Sequence, residues 1–192
     1  MAVFPLDLVL AGDGLLLSRP TDDDLDDLVR ACRDPETVRF TLVPVDYDLE
    51  DARGYVEMCA EGERRGTALG LIARDGAGRL LASCGLVEVD HVERNGSLGY
   101  WVAPWARRQG VATRATRLVC RYAFEFGLER LHLEAATVNA GSNEVARRVG
   151  FRHEGTLRSA ARERDPDRRG PGRPPPARLD MNVWGLLPDE LR

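Results

Sequence analysis

The sequence predicts a mixed α/β fold of seven strands and about four helices. Three observations carry that expectation. Short β-type runs bounded by turn residues occur in both halves of the chain. Two of them flank Asp75-Gly76-Ala77-Gly78 and should pair as a hairpin. Beyond residue 93 the patterns follow in the order strand, helix, strand, helix, strand, and a last strand-like run closes the chain. At 192 residues the chain is long enough for a single domain with a substantial core around a sheet.

A short strand is expected at Leu15–Arg19. Thr21 then resembles a helix N-cap, and Asp22, Asp23 and Asp24 fill the first turn of a helix that runs to about Arg33. Acids there complement the helix dipole and the free N–H groups. Extended by Asp26 and Asp27, the same cluster could also attract a cationic amine. A second helix should cover Leu49–Arg64. Strands follow at Thr67–Arg74, Arg79–Val87 and Glu93–Val102, with Asn95-Gly96 as a turn signal and Pro104 as a stop. Val111, Ala115, Leu118, Val119, Tyr122, Ala123 and Phe126 recur at helical spacing, and Gly127 falls where that helix should end. Leu131–Val138 alternates as a strand, Ser142–Val149 reads as a short helix ended by Gly150, and Phe151–Leu157 and Leu179–Leu186 supply the last two strands.

Charge narrows the functional classes. All 27 basic residues are arginine, so Schiff-base lysine chemistry and a lysine-bearing phosphate loop are both excluded. The net charge of -4 argues against a general nucleic-acid binder. No apolar run approaches the roughly 20 residues of a membrane span, and the start MAVFPLDLVL lacks the basic and long apolar regions of a secretory signal. Cys32, Cys59, Cys84 and Cys120 are scattered without a C-x-x-C pair, and His91 and His153 lack metal-ligand spacing. Neither a disulfide framework nor a metal site is expected, and the cytoplasm is the natural setting. Residues 158–178 hold seven arginines against three acids and are rich in Pro and Gly. They read as a mobile loop at about 159–178 within the domain. A homodimer is compatible with this composition.

The segment Leu98–Thr113 carries the most chemistry. A strand ends near Val102, a loop presents Arg107, Arg108, Gln109 and Gly110, and a helix begins at Val111, Ala112 and Thr113. Successive N–H groups at a helix start form a nest for an anion, and arginine pairs well with phosphate. A pyrophosphate-bearing cofactor fits. The dinucleotide fingerprint G-x-G-x-x-G is absent, which disfavours NAD and ATP.

Arg107-x-x-Gly110-x-Ala112 resembles the R/Q-x-x-G-x-G/A motif of the GNAT N-acetyltransferases, whose loop amides hold the pyrophosphate of acetyl-CoA. Asn139-Ala-Gly-Ser142, Gly150-Phe151, and Glu154-Gly155 with Arg158 follow in the family's order. Arg19-Pro20-Thr21 and Asp34-Pro35-Glu36 fit the branch containing the ribosomal-protein alanine acetyltransferases RimJ and RimL. The resemblance spans roughly residues 14–160 plus the final strand. It implies a mostly antiparallel seven-stranded sheet that splays between its fourth and fifth strands. It also implies transfer of an acetyl group from acetyl-CoA to a primary amine, on a protein N-terminus or a small molecule. A CoA-binding module without catalysis is the alternative.

On that basis Tyr100, Trp101 and Val102 should line the cofactor, Asn139 and Asn143 should meet the pantetheine amides, and Arg148 should reach a phosphate. A backbone N–H near the end of the Glu93–Val102 strand should stabilise the oxyanion. The leaving thiolate needs a donor. Family members often use a tyrosine there; this stretch has none, so Ser142 is the candidate acid, though serine is equally suited to capping the helix. Glu88, Glu134 and His132 are candidate bases, a half-buried carboxylate being able to act through one ordered water. Some RimL-like proteins carry a glutamate a few residues past the Glu-Gly step, and the nearest acid here is Glu163.

Overall fold

The computed structural model describes residues 4, 5, 7–164 and 176–192. Eight strands form one sheet, β1 (Leu10–Gly12), β2 (Leu15–Ser18), β3 (Leu69–Arg74), β4 (Leu80–Asp90), β5 (Asn95–Val102), β6 (Arg130–Ala136), β7 (Arg152–Arg162) and β8 (Arg178–Leu186). Their spatial order is β1-β2-β3-β4-β5-β6-β8-β7. Every neighbouring pair is antiparallel except β5 and β6. Among the described residues five α-helices complete the fold: α1 (Leu25–Cys32), α2 (Pro35–Phe40), α3 (Leu49–Arg65), α4 (Val111–Glu125) and α5 (Ala140–Val149). The fold class is the one expected. Among the described residues no helix is long and apolar enough to cross a membrane.

Strand alternation divides the sheet into two faces. Leu69, Leu71, Cys84, Leu86 and Leu98 are buried on the α4 face, where Cys84 Sγ lies 3.8 Å from Thr116 Oγ1. Gly70, Ile72 and Ser83 point the other way, toward α3. There the Tyr55 and Ser83 hydroxyls are 2.7 Å apart, and a Cβ on Gly70 would collide with Cys59 Sγ. Glycine at 70 is therefore what lets α3 lie flat on β3.

Several elements differ from expectation, each for a local reason. The extra strand β1 pairs with β2 through Asp13-Gly14, whose φ angles of 52° and 73° are those of a tight hairpin turn. The extra helix α2 starts at Pro35 behind Asp34, whose side chain accepts from the Thr37 amide at 3.0 Å. Six residues are too few to show helical periodicity. The turn before β5 is not at Asn95-Gly96. Asp90 makes it by accepting from the amides of Val92 and Glu93 at 2.8 and 2.9 Å, with Arg94 at φ 51°. Thr21 and Asp24 do form a capping box, and Asp24 is buried in an ion pair with Arg74.

The arginine-rich stretch is also more ordered at its base than a loop. β7 continues past Leu157 to Arg162, pairing Ala161 with Leu179 and Arg162 with Arg178. A bulge at Ser159 (φ 54°) is held by its amide donating to Asp180 at 2.8 Å. The remainder of that expected loop, residues 165–175, lies outside the described residues.

One buried side chain fastens α5 to the sheet. Asn143 donates to the carbonyls of Ala136 (2.9 Å) and Asn139 (2.7 Å). Its Oδ1 accepts from Asn182 Nδ2 (2.8 Å) and Trp184 Nε1 (3.1 Å). All four contacts of the amide are thus spent inside the protein. Replacing Asn143 with Ala should destabilise the fold by about 1–3 kcal/mol, because buried donors and carbonyls lose their partner. Urea unfolding measures it, and an unchanged midpoint would contradict the network.

The four cysteines are free and buried. Burial pushes the Cys32 and Cys84 thiols up to about 12 and that of Cys59 to about 11, from an ordinary value of 9.0. The folded chain therefore keeps these protons to higher pH than the unfolded chain. Their contribution to stability is complete below about pH 9 and declines as pH rises toward 12. A melting temperature that falls steadily above pH 9, with slow disulfide-reagent labelling of the native chain at pH 8, is the expected result.

Candidate functional site

β5 and β6 run side by side only briefly. Asn95, Gly96 and Ser97 pair with Arg130, Leu131 and His132, and no pairing follows although β5 continues to Val102 and β6 to Ala136. The gap is the expected splay, here between the fifth and sixth strands because β1 adds one to the count. From residue 98 onward, alternate β5 amides point away from β4 and into the gap. Backbone donors are therefore available there for an oxyanion or for an amide-bearing chain.

The loop that follows β5 enters α4 at the same end of the gap. Arg108 and Gly110 both adopt left-handed φ angles, 63° and 72°, and a Cβ on Gly110 would meet nothing within 4 Å. Gly110 is the N-cap, and no side chain caps α4. The first-turn amides of Val111, Ala112 and Thr113 thus keep their donors for an outside acceptor, as an anion site requires. Arg108, Gln109 and Gly110 are exposed, whereas Val111 and Thr113 are buried in the helix footing and Ala112 is half-buried. Arg114 was not anticipated. It donates to the carbonyls of Asp13 (2.5 Å) and Gln109 (3.3 Å), binding the loop to the β1–β2 turn. Its spacing four residues after Gly110 was the available signal.

Arg107 is committed to α2 and not to a ligand's phosphate in this arrangement. Its guanidinium is taken up by Asp34, by Glu36 at 2.9 Å and by Thr37 Oγ1 at 3.0 Å. Arg148, far from free, lies against Glu144 at 2.8 Å, one helical turn back. Asn143 is the internal fastener described above, so no pantetheine contact remains open to it. Asn139 spends its Oδ1 on the Ser142 amide at 3.0 Å.

That last bond settles the capping question. Asn139 is the N-cap of α5, and Ser142 stands inside the first turn with its hydroxyl released from capping. The Ser142 hydroxyl instead meets the Tyr100 hydroxyl at 2.9 Å, across the mouth of the gap. Tyr100 shares the α4 face with Leu98, while Val102 and Trp101 are half-buried on alternate sides of β5. Burial raises the Tyr100 phenol, and the Ser142 hydrogen bond only partly opposes it. The phenol is therefore a neutral donor throughout the usual working range. A tyrosine next to the candidate acid was thus supplied by β5 and not by the α5 region.

The candidate bases lie on the opposite face. Register places Glu88 beside Ser97 and Ser97 beside His132, with Glu134 two residues farther along β6. Glu88 and Glu134 are exposed, not half-buried as expected, because among the described residues no helix covers this face of β6. The gap thus separates hydroxyl donors on one face from carboxylates and an imidazole on the other. Glu163 is engaged by Arg39 at 2.6 Å.

Sequence comparison matches the acetyltransferase (GNAT) domain over residues 14–152. The chain is 28% identical over 153 residues to the uncharacterized N-acetyltransferase YoaA of Bacillus subtilis (strain 168), covering 78% of this chain and 86% of that protein. Among solved structures, RimL, a ribosomal alpha-N-protein acetyltransferase in complex with coenzyme A, aligns with a TM-score of 0.81 at 17% identity, over 95% of this chain and 99% of that one. Mycobacterium smegmatis RimJ in complex with CoA-disulfide aligns with a TM-score of 0.79 at 23% identity, over 98% and 88%. At these identities the two structures speak for the fold, and the domain match speaks for descent. The chain belongs to the GNAT family of acetyltransferases.

Proposed function

We propose that this acetyltransferase moves the acetyl group of acetyl-CoA to a primary amine, carried by a protein N-terminus or a small molecule. The observation that carries the reading is the coincidence of two vacant sets of backbone donors. The uncapped start of α4 suits a pyrophosphate, with Arg108 beside it, and the gap between β5 and β6 suits the amide-bearing pantetheine arm. The four free thiols fit a reducing compartment such as the cytoplasm.

The chemistry follows from where the groups stand. A neutral amine attacks the thioester carbonyl, forming the C–N bond while the carbonyl oxygen takes up negative charge. A β5 amide facing the gap stabilises that oxygen. As the intermediate collapses the C–S bond breaks, and Ser142 gives the departing thiolate its proton and is itself reprotonated from solvent. The amine's surplus proton leaves through water toward Glu88, Glu134 or His132 on the other face. Tyr100 orients the donor. The two hydroxyls lie 2.9 Å apart and either can donate; with Tyr100 as the donor, the serine's own hydrogen is free for sulfur.

Release of CoA thiol should be seen when acetyl-CoA is mixed with a panel of amines that includes peptide N-termini and polyamines. Tight CoA binding with no release for any amine would favour a binding module instead. Gly110→Asp should weaken acetyl-CoA binding by about tenfold or more, since an anion would stand where pyrophosphate lies and a left-handed φ is strained for aspartate. Ser142→Ala should lower turnover by about two orders of magnitude with little change in the Michaelis constant for acetyl-CoA. Tyr100→Phe should act in the same direction, and the double substitution should be no worse than Ser142→Ala alone. Full turnover in the serine variant would remove it from the proton path.

A further inference from the structure

The cofactor loop contains two residues in a backbone conformation that must be held. Arg108 has φ 63° without being glycine, and Gly110 has φ 72°. A non-glycine residue there costs of order 1 kcal/mol or more and persists only where its surroundings over-determine it. Yet Arg108, Gln109 and Gly110 are exposed, and among the described residues the Gln109 side chain reaches only the Trp105 carbonyl, at 3.2 Å. The restraint must come from the residues that flank them. Arg114 grips the Gln109 carbonyl from one side. On the other side stands Arg107.

Arg107 is fully occupied by α2. One terminal nitrogen meets Glu36 Oε2 at 2.9 Å, and the other meets Asp34 and Thr37 Oγ1. Asp34 also caps α2 through the Thr37 amide at 3.0 Å. Desolvation pushes the Asp34 carboxyl up, but the Arg107 and Thr37 hydrogen bonds outweigh it and hold the group below the usual carboxylate range. Two carboxylates surround one guanidinium, so this cluster presents no net positive charge to a phosphate. Arg108, by contrast, has no ion-pair partner among the described residues and stands exposed on the loop itself.

We propose that Asp34 is a positioning residue for the cofactor loop: it anchors Arg107 to α2 and thereby sets the Arg108–Gly110 conformation, leaving the pyrophosphate to Arg108 and the loop amides. The proposal rests on reading that loop as the acetyl-CoA site. The same helix is gripped at its far end. Arg39 pairs with Glu163 at 2.6 Å, and Arg164 donates to the carbonyls of Leu42 and Val43 at 2.9 Å each. α2 and the residues just past it are therefore tied to the segment after β7 as well as to Arg107, which gives the loop an anchor.

The competing arrangement is distinguishable. If Arg107 were a phosphate ligand that Asp34 merely restrains, neutralising Asp34 would release it and CoA would bind as well or better. Asp34→Asn retains an acceptor for the Thr37 amide but removes the charge facing Arg107. In equilibrium titrations with CoA, Asp34→Asn and Arg107→Gln should each raise Kd by about tenfold, and the double variant should match either single one. In both single variants the Michaelis constant for acetyl-CoA should rise more than kcat falls, and a circular-dichroism spectrum like the wild type's separates lost positioning from lost folded protein. Glu36→Gln, on an exposed side chain, should raise Kd by about two- to threefold and guards against a misfolded Asp34 variant. Unchanged or tighter CoA binding in Asp34→Asn, or multiplying effects in the double variant, would overturn the proposal. Failure of the wild-type chain to bind CoA would instead overturn the cofactor reading and this inference with it.

Discussion

The structure depends on one parting of strands. β5 and β6 hold together for three residue pairs and then separate in the middle of an otherwise continuous sheet. They are also the parallel pair, and parallel neighbours require a crossover, here α4. The crossover places the start of α4 at the end where the strands part. Backbone donors from a helix terminus and from an unpaired strand thereby converge without any charged side chain being buried for the purpose. α5, leaving the end of β6, then brings Ser142 to Tyr100 across the opening.

Much of this is legible in the sequence, and what is not has physical reasons. The central strands and α4 show because burial on one face imposes a period on long runs of residues. α2 and β1 are too short to show a period, although Asp34-Pro35 and Asp13-Gly14 mark both of them. The base of the arginine-rich hairpin is invisible to any burial pattern. Arg162 and Arg178 are exposed and are held by backbone pairing, which side-chain polarity does not report.

The site divides in the same way. Gly110 and Ser142 can be placed from the motif and its spacing, because backbone freedom and a fixed offset along a helix are local properties. The fates of Asn143 and Arg107 cannot. Whether an amide or a guanidinium faces a ligand or the protein is decided there by partners 39 or 73 residues away, whereas Glu144, one helical turn before Arg148, is a local signal. Arginine takes every cationic role here, and its planar fork suits it to clamps such as Arg74 on Asp24 and Arg107 on Asp34. With no lysine in the chain, an acetylated lysine in a reaction mixture must come from another molecule.

A sheet that divides at its centre acquires two inner edges, and strand edges ordinarily invite pairing with another chain. The outer strands β1 and β7 can meet this hazard by being short or richly charged. The inner edges are guarded differently. Three closed pairs stand at one end of the gap and the Tyr100–Ser142 contact spans its mouth. A further strand pairing along the free length of β5 would have to displace that contact, so the two hydroxyls that face the opening also stand in the way of edge-to-edge pairing.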